Sequence, residues 1–496
     1  MTTLQRLLSN TLLAFTSNII VRVSNSLLFI FIGRTLGPTE AGAFNLGITY
    51  FTVVFALSAW GLHELLVREV ATRRDESGRY LVNYLFLRLG LAAGGYLLLI
   101  VALRVLLPYS QVTTAIIRIL ALAVFPEAIF AMVQALFEAH ERLLPPALAA
   151  TANSVFKLGG GLWLLIQGYP VRQIVWVVPI GSALSLLIFL PFLWRLFGPL
   201  PKGKGRWLNW SFSLAQLKET PSFLVIHLFS LLDYQTDAFL ISLLLTETAV
   251  GWYGAAQTVL LGFWMIPMAV RAALYPLMAR YHRTDRDKLA VLYRKSSQYL
   301  VLFALPVAAG VYLIAPGLIQ LIFKDSFDPA IPALRWSIWA VGFALLNVPN
   351  ARLMLVYNKQ RQAAWLTGLS MVVNVSANLL LIPRYEIVGA AMARTFASFI
   401  FFVALYIYVQ RNLLRASILP GLIRPVLATA TMVLLVEPVR ALGMIPAIAT
   451  GIIVYGLAGV ILRVIPAEDW HYWRTLYKSS AKEVEVEEAE EVMVHE

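Results

Sequence analysis

The run that decides the fold class lies at residues 81–106 and reads LVNYLFLRLGLAAGGYLLLIVALRVL. A helix needs about 20 mostly apolar residues to cross about 30 Å of hydrocarbon, and this run exceeds that length. The whole chain of 496 residues has the same character, since 59% of its residues are hydrophobic and 14% are charged. A soluble domain has about 45–50% apolar and about 25% charged residues, so this composition predicts a membrane protein.

The chain holds fourteen such apolar stretches, separated by short polar breaks. They lie at residues 8–33, 42–66, 81–106, 113–137, 146–167, 172–197, 219–245, 249–278, 296–322, 332–357, 363–383, 387–410, 419–439 and 444–465. Strands of a membrane barrel would be about 10 residues long and alternate in polarity, so these stretches favour helices. The first lacks a signal-peptide cleavage pattern, and we expect it to stay as a helix. The sequence therefore predicts an all-α, polytopic membrane protein with about 14 transmembrane helices.

Basic residues in the loops predict the orientation of these helices. Alternate loops are rich in Lys and Arg, for example around Arg73, Lys202 and Arg283. The opposite loops have about one basic residue each, namely Arg34, Arg172, Lys324, Arg384 and Arg440. Cytoplasmic loops carry the basic excess, so both termini are predicted to be cytoplasmic. Topology accounts for much of the net charge of +13, and a nucleic-acid partner is not predicted.

The chain divides into two related halves at its longest internal loop, residues 198–218. Gly42-Ala43-Phe44-Asn45 opens the second predicted helix, and Gly251-Trp252-Tyr253-Gly254 opens the eighth, 209 residues later. Six helices separate the copies, an even number, which predicts parallel repeats of the kind found in some secondary transporters. The predicted organisation is an N-terminal lobe (1–200), a cytoplasmic linker (201–218), a C-terminal lobe (219–412), helices 13 and 14 (413–466) and a disordered acidic tail (467–496).

Enzyme signatures are absent from the sequence. Residues 198–205, GPLPKGKG, nearly form a phosphate-binding loop, but Gly205 replaces the Ser or Thr that would hold magnesium. The chain has no cysteine, and its six histidines form no metal-binding pair. We therefore predict no catalytic residue, no metal and no ATP hydrolysis. A membrane-bound glycosyltransferase or polymerase is the rival from the enzyme class.

Several basic residues fall within the predicted spans, where each must face an interior or a wet cavity. They are Arg22, Arg88, Lys157, Arg271, Arg335, Arg352, Arg394 and Arg424. Arg22 and Lys157 lie too deep to reach the headgroups and are predicted to line a cavity, with a buried ion pair as the alternative. Arg88 and Arg271 are weaker members of the same set. Such a cavity suits a large anion such as a pyrophosphate lipid, because guanidinium groups bind phosphate oxygens in pairs.

The acidic residues that stand out within the spans are Glu127, Asp233 and Asp237. The two aspartates are four residues apart and share one helix face, where repulsion between carboxylates favours proton exchange. They could equally bind Na⁺, or pair with Arg22 or Arg271 to hold the lobes together. Glu127 follows Pro126, and a kink with a salt bridge explains it as well as a coupling role does.

The turns of the chain resemble those of oligosaccharide flippases of the polysaccharide-transporter type. Residues 31–44, FIGRTLGPTEAGAF, look like that family's first hairpin, and Asp237 through Ala256 look like its second-half hairpin. Asn374 and Asn378, with the turn at residues 381–391, resemble its helix 11–12 turn, although Glu386 stands where glycine is usual. The chain is thereby identified as a member of the multidrug/oligosaccharidyl-lipid/polysaccharide flippase superfamily.

This resemblance implies two six-helix lobes in a V around a cationic cavity, plus two C-terminal helices. It implies movement of undecaprenyl-pyrophosphate-linked oligosaccharide across the cytoplasmic (inner) membrane, for O-antigen or another surface polymer. Implied partners are membrane lipids, that substrate, and polymerases or glycosyltransferases of the pathway. Coupling to H⁺ or Na⁺ is implied, with no other cofactor, which makes Asp237 and Asp233 candidates. The alternatives are a peptidoglycan lipid-precursor flippase, then a drug or cation antiporter.

Overall fold

The computed structural model describes residues 3–107, 109–197, 235–417 and 421–464. Asp233, the predicted linker (201–218) and the predicted tail (467–496) lie outside these described residues. Within them the chain forms helices joined by short turns and no strand. The all-α class predicted from the apolar runs is therefore confirmed.

The helices of the described residues fall on either side of the 198–234 gap. Before it lie α1 (Thr3–Leu36), α2 (Pro38–Ala59), α3 (Leu62–Thr72), α4 (Ser77–Val105), α5 (Gln111–Leu122), α6 (Val124–Ala139), α7 (Leu144–Ile166), α8 (Val171–Ile174) and α9 (Val177–Phe197). After it lie α10 (Gln235–Leu244), α11 (Glu247–Thr284), α12 (Arg286–Phe323), α13 (Ala330–Val356), α14 (Gln360–Asn412), α15 (Ile423–Val439) and α16 (Met444–Ile461).

Eleven helical stretches of the described chain are long and apolar enough to cross a membrane. The predicted count of fourteen is not confirmed, and the difference arises at three places. Helix α7 is not among the eleven, α10 is described only from Gln235 onward, and α14 counts once although it covers two predicted spans. The order of the helices otherwise follows the order of the apolar runs.

Helix α14 is a hairpin of two helices. Its 53 residues would extend about 80 Å if straight, more than twice the hydrocarbon thickness. The backbone leaves helical geometry at Glu386, with φ 52° and ψ −133°. On either side of this turn, Ser370 Oγ donates a hydrogen bond to the Ala397 carbonyl at 3.2 Å. A Cβ on Gly389 would overlap the Leu381 carbonyl, so the turn needs glycine there.

The chain forms two compact units. The first contains Met1–Val259, Ile319–Ser337 and Gly368–Ala397, and the second contains Leu260–Leu318, Ile338–Thr367 and Ser398–Glu496. In the first, α1 packs on α7, α2 packs on α5, and α6 packs between α3 and α4. In the second, the core includes Tyr293, whose hydroxyl donates to Asn350 Oδ1 at 2.7 Å. The lobe boundaries expected from the sequence stay a prediction.

Glu386→Gly is expected to stabilise the protein by about 1 kcal/mol, because a residue with a Cβ is strained at this positive φ and glycine is not. Thermal unfolding of the purified protein in detergent measures the change. Glu386→Ala is the matched control, since it removes the same charge but keeps the Cβ. Equal shifts for the two variants would show that charge, and not backbone strain, sets the stability at this turn.

Candidate functional site

The structure places the four predicted cationic residues in different environments. Arg22 on α1 and Arg271 on α11 are exposed, Lys157 on α7 is half-buried, and Arg88 on α4 is buried. Exposed here means not covered by protein, which for a membrane helix includes faces turned to lipid. That Arg22 and Lys157 point between the lobes stays a prediction.

Glu127 lies in a group of polar side chains from three helices of the first unit. Ser182 Oγ on α9 donates to Glu127 Oε1 at 2.6 Å, and Asn153 Nδ2 on α7 donates to the same oxygen at 3.2 Å. The Glu127 carboxylate also interacts electrostatically with Lys157 and Arg88. We call these five residues (Arg88, Glu127, Asn153, Lys157 and Ser182) the Glu127 cluster.

Local backbone features bring the members of the Glu127 cluster together. The break predicted near Pro126 is present, because α5 ends at Leu122 and Pro126 lies in the first turn of α6, where it costs no helical hydrogen bond. The salt bridge expected for Glu127 is not found among the described residues. Gly181 lets α9 approach α7 closely, since a Cβ there would lie 3.2 Å from Lys157 Cγ.

Arg88 is a buried cation with unused hydrogen-bond donors. It is 1% exposed, and its guanidinium carbon lies 4.8 Å from the centre of the Phe55 ring. Its Nε and Nη1 find no hydrogen-bond partner among the described residues. Glu64 and Glu127 are the carboxylates that act on it electrostatically. A buried charged donor without an acceptor lowers the stability of the protein. Arg88 therefore has donors inside the first unit that could still bind an acceptor.

Asp237 is the centre of a second polar network in the first unit. It is 3% exposed, and its Oδ2 accepts hydrogen bonds from Arg394 Nε and from the Tyr253 hydroxyl, both at 2.8 Å. Its Oδ1 accepts from Asn378 Nδ2 at 3.0 Å, and Asn378 also bonds to Asn374.

This network corrects the pairing expected for Asp237. The sequence suggested Arg22 or Arg271 as its basic partner, and the partner is Arg394, 157 residues away in the chain. No local pattern marks that pair. Asn374 and Asn378 had been singled out only for their family resemblance, and their contact with Asp237 gives them a physical role.

Arg271 and Arg352 form a basic pair in the second unit. Their like charges interact, and the Arg352 guanidinium carbon lies 6.0 Å from the centre of the Tyr275 ring. Arg352 Nε is buried without a hydrogen-bond partner among the described residues. No carboxylate pairs with either arginine in the described chain. The sequence placed Arg352 among the basic residues within the spans but did not indicate its proximity to Arg271.

Some of the helix ends that the sequence predicts to lie on the side opposite the cytoplasm meet in the first unit. We call the place where they meet the outer-end contact (residues 34–42, 247–251 and 321–324). Arg34 Nη1 donates to the Leu321 carbonyl at 2.8 Å, in the last turn of α12. Lys324 Nζ donates in return to the Arg34 carbonyl at 3.4 Å, in the last turn of α1. Each basic residue thus satisfies carbonyls that the other helix leaves without a partner.

The outer-end contact is reciprocal between the two halves of the sequence. Thr39 and Thr248 join their hydroxyls at 2.9 Å and are 209 residues apart. A Cβ on Gly42 would overlap the Glu247 carbonyl, and a Cβ on Gly251 would overlap the Pro38 carbonyl. Thr39 and Thr248 are equivalent positions of the predicted repeat, and the contact of Gly42 with Glu247 is the equivalent of the contact of Gly251 with Pro38. A two-fold relation produces this pattern. The contact therefore supports the internal repeat.

Tyrosines extend this contact toward the first unit's interior. The Tyr109 hydroxyl bonds to the Tyr50 hydroxyl at 2.9 Å and to Ser242 Oγ at 2.7 Å. Burial raises the pKa of Tyr109, so it acts as a neutral hydrogen-bonding group.

Residues 31–332 of the chain match the family described as "Polysaccharide biosynthesis protein". The chain belongs to this family. The match begins in the first hairpin and runs past α12, so it covers both sides of the outer-end contact.

Similar proteins agree with this family and with the fold. The "Probable low-salt glycan biosynthesis flippase Agl15" of Haloferax volcanii is 23% identical over 390 residues, covering 75% of this chain and 80% of that protein. The structure titled "Lipid II flippase MurJ, inward closed conformation" has a TM-score of 0.70 at 14% identity, over 92% of this chain and 99% of that one. An inward-facing MATE-family multidrug resistance transporter of the MOP superfamily has a TM-score of 0.63 at 16% identity, over 79% and 94%.

These findings establish a multi-pass membrane protein of the polysaccharide biosynthesis family, with a fold that is also found in transporters of the MOP superfamily. The fold is the one that the sequence resemblance predicted.

Asp237→Asn is expected to destabilise the protein by about 3–5 kcal/mol, because it removes the buried carboxylate that neutralises the part-buried Arg394. Arg394→Gln should cost a similar amount, and the double variant should recover much of the loss, since two amides can still bond to each other. Thermal unfolding in detergent measures all three. Glu437→Gln, which breaks an exposed pair with Arg440, is the control and should change little. Additive losses in the double variant would contradict the pairing.

Proposed function

We propose that this protein is a flippase that moves a pyrophosphate-linked oligosaccharide, carried on undecaprenol, from the cytoplasmic to the outer leaflet of the cytoplasmic membrane. The observation that carries the proposal is that the helices of the described chain hold basic side chains for which no carboxylate forms an ion pair. Lys157 and Arg88 contribute this excess in the first unit, and Arg271 and Arg352 contribute it in the second.

The charge of these residues selects the substrate. Two arginines held together without a carboxylate repel each other, and the repulsion grows as the dielectric constant falls. A pyrophosphate group would relieve it, because its oxygens accept paired hydrogen bonds from guanidinium groups. An organic cation would be repelled by the same residues. The drug or cation antiporter is therefore the least favoured of the alternatives.

The relatives support the same class of substrate. The Haloferax volcanii protein is named as a probable flippase of glycan biosynthesis, and a structure with the same fold is named as a lipid II flippase. The second of these favours a peptidoglycan lipid-precursor flippase as the second candidate, since it covers 92% of this chain. Both substrates share a polyprenyl pyrophosphate and differ in their sugars.

A leaflet assay tests the proposal. Purified protein in vesicles should move undecaprenyl-pyrophosphate oligosaccharide faster than protein-free vesicles do, and Arg271→Gln or Arg352→Gln should slow it about tenfold or more through loss of phosphate contacts. Arg440→Gln, at an exposed pair in the second unit, is the control. Faster movement of lipid II than of the oligosaccharide lipid would favour the second candidate. Equal movement of a neutral glycolipid would contradict the proposal.

Alternating access predicts that the outer-end contact must separate during each cycle. The chain has no cysteine, so a Thr39→Cys/Thr248→Cys pair can be cross-linked without interference. The oxidised pair should stop translocation in the same vesicles, and reduction should restore it. The two single-cysteine variants are the controls. Full translocation by the cross-linked protein would contradict an opening at this contact.

We further propose that translocation is coupled to an H⁺ or Na⁺ gradient. Of the three carboxylates named for this role, Asp233 lies outside the described residues and Asp237 is held by a guanidinium group. Glu127 accepts hydrogen bonds only from neutral groups in the described chain, which makes it the stronger candidate. Loss of gradient dependence in Glu127→Gln but not in Asp237→Asn is the expected result.

A further inference from the structure

The Glu127 cluster has the composition of a site that exchanges one anion for another. We propose that Glu127 is an internal counter-anion of Lys157, which the pyrophosphate of the substrate displaces when it binds. The inference rests on the proposed function and adds a specific step to it: substrate and Glu127 compete for the same cation.

The described hydrogen bonds to Glu127 come from neutral groups, so no bonded cation neutralises its negative charge. Its Oε1 accepts from Ser182 and Asn153, both neutral, while Oε2 accepts no hydrogen bond from the described residues. The carboxylate interacts with Lys157 through space but forms no ion pair within 4.0 Å in the described chain. It is thus positioned by neutral donors beside a cation to which it is not bound.

Other carboxylates in these helices are bound differently. Asp237 uses both oxygens and has the Arg394 guanidinium at 2.8 Å. Glu138, on the same helix as Glu127, has His63 Nε2 at 2.9 Å and Gln134 Nε2 at 2.8 Å. A carboxylate held in this way resists displacement. Glu127 has no such charged partner within 4.0 Å among the described residues.

The charged groups around Glu127 come from the helices packed against α6. Helix α4 brings Arg88 and α7 brings Lys157, while α9 brings the neutral Ser182. Glu64 on α3 acts on Arg88, and Phe55 on α2 lies over the Arg88 guanidinium. Within the Glu127 cluster one carboxylate accompanies two cations, so a positive charge is left over. Glu127 lowers the cost of keeping these cations in a low-dielectric interior without cancelling their charge.

Calorimetric titration of the purified protein with farnesyl diphosphate tests the competition. Glu127→Gln keeps an acceptor for Ser182 and Asn153 and is expected to bind about tenfold more tightly than the wild type at pH 8. Lys157→Gln should bind about tenfold more weakly, and the double variant should resemble Lys157→Gln because the competitor and its target are both gone. Glu138→Gln, which removes a carboxylate from the same helix, should leave the affinity unchanged.

The competition and the proposed function fail in different ways. If Glu127→Gln matches the wild type in affinity while Lys157→Gln loses binding, the competition is wrong and the proposed function stands. If no variant binds farnesyl diphosphate, the pyrophosphate substrate is wrong and the inference is overturned with it.

Discussion

A charge inside a membrane helix must be neutralised or hydrated, and this constraint organises the molecule. The protein meets it in three ways. Asp237 and Arg394 neutralise each other in a closed network of hydrogen bonds. The Glu127 cluster offsets part of its positive charge with one carboxylate, without forming an ion pair among the described residues. Arg271 and Arg352 are left as a basic pair. The further a site is from neutrality within the protein, the more it favours an anion from outside.

The outer-end contact shows a different use of charge. Arg34 and Lys324 stand in loops that are otherwise poor in basic residues, so topology gives no reason for them. Their contacts explain why they are there. Arg34 donates to a carbonyl in the last turn of α12, and Lys324 donates to a carbonyl in the last turn of α1. Gly42 on α2 and Gly251 on α11 have no Cβ, which lets the backbones of these two helices come into direct contact. Together these features close the contact without a large apolar surface, which suits an interface that separates and re-forms.

The sequence was informative where the physics is local. Apolar run length gave the helices and their order, the Gly42 and Gly251 motifs gave the repeat, and Pro126 marked a real helix break. Pairings across the chain could not be predicted this way, because nothing near Asp237 points to Arg394. Burial of Arg88 was not predictable either, because it depends on packing against α2 and α6. By contrast, the break between the apolar runs 363–383 and 387–410 was predicted, and α14 turns there at Glu386. The full count of fourteen spans is not confirmed.

The central claim is that unbalanced cations hold the pyrophosphate of a lipid-linked substrate. Native mass spectrometry of the purified protein, offered equal amounts of undecaprenyl pyrophosphate and undecaprenol, tests it most directly because the two lipids differ only in the charged group. The account predicts that the pyrophosphate lipid is retained and that Arg271→Gln and Lys157→Gln each weaken its retention. Equal retention of the two lipids, or retention indifferent to both substitutions, would contradict it.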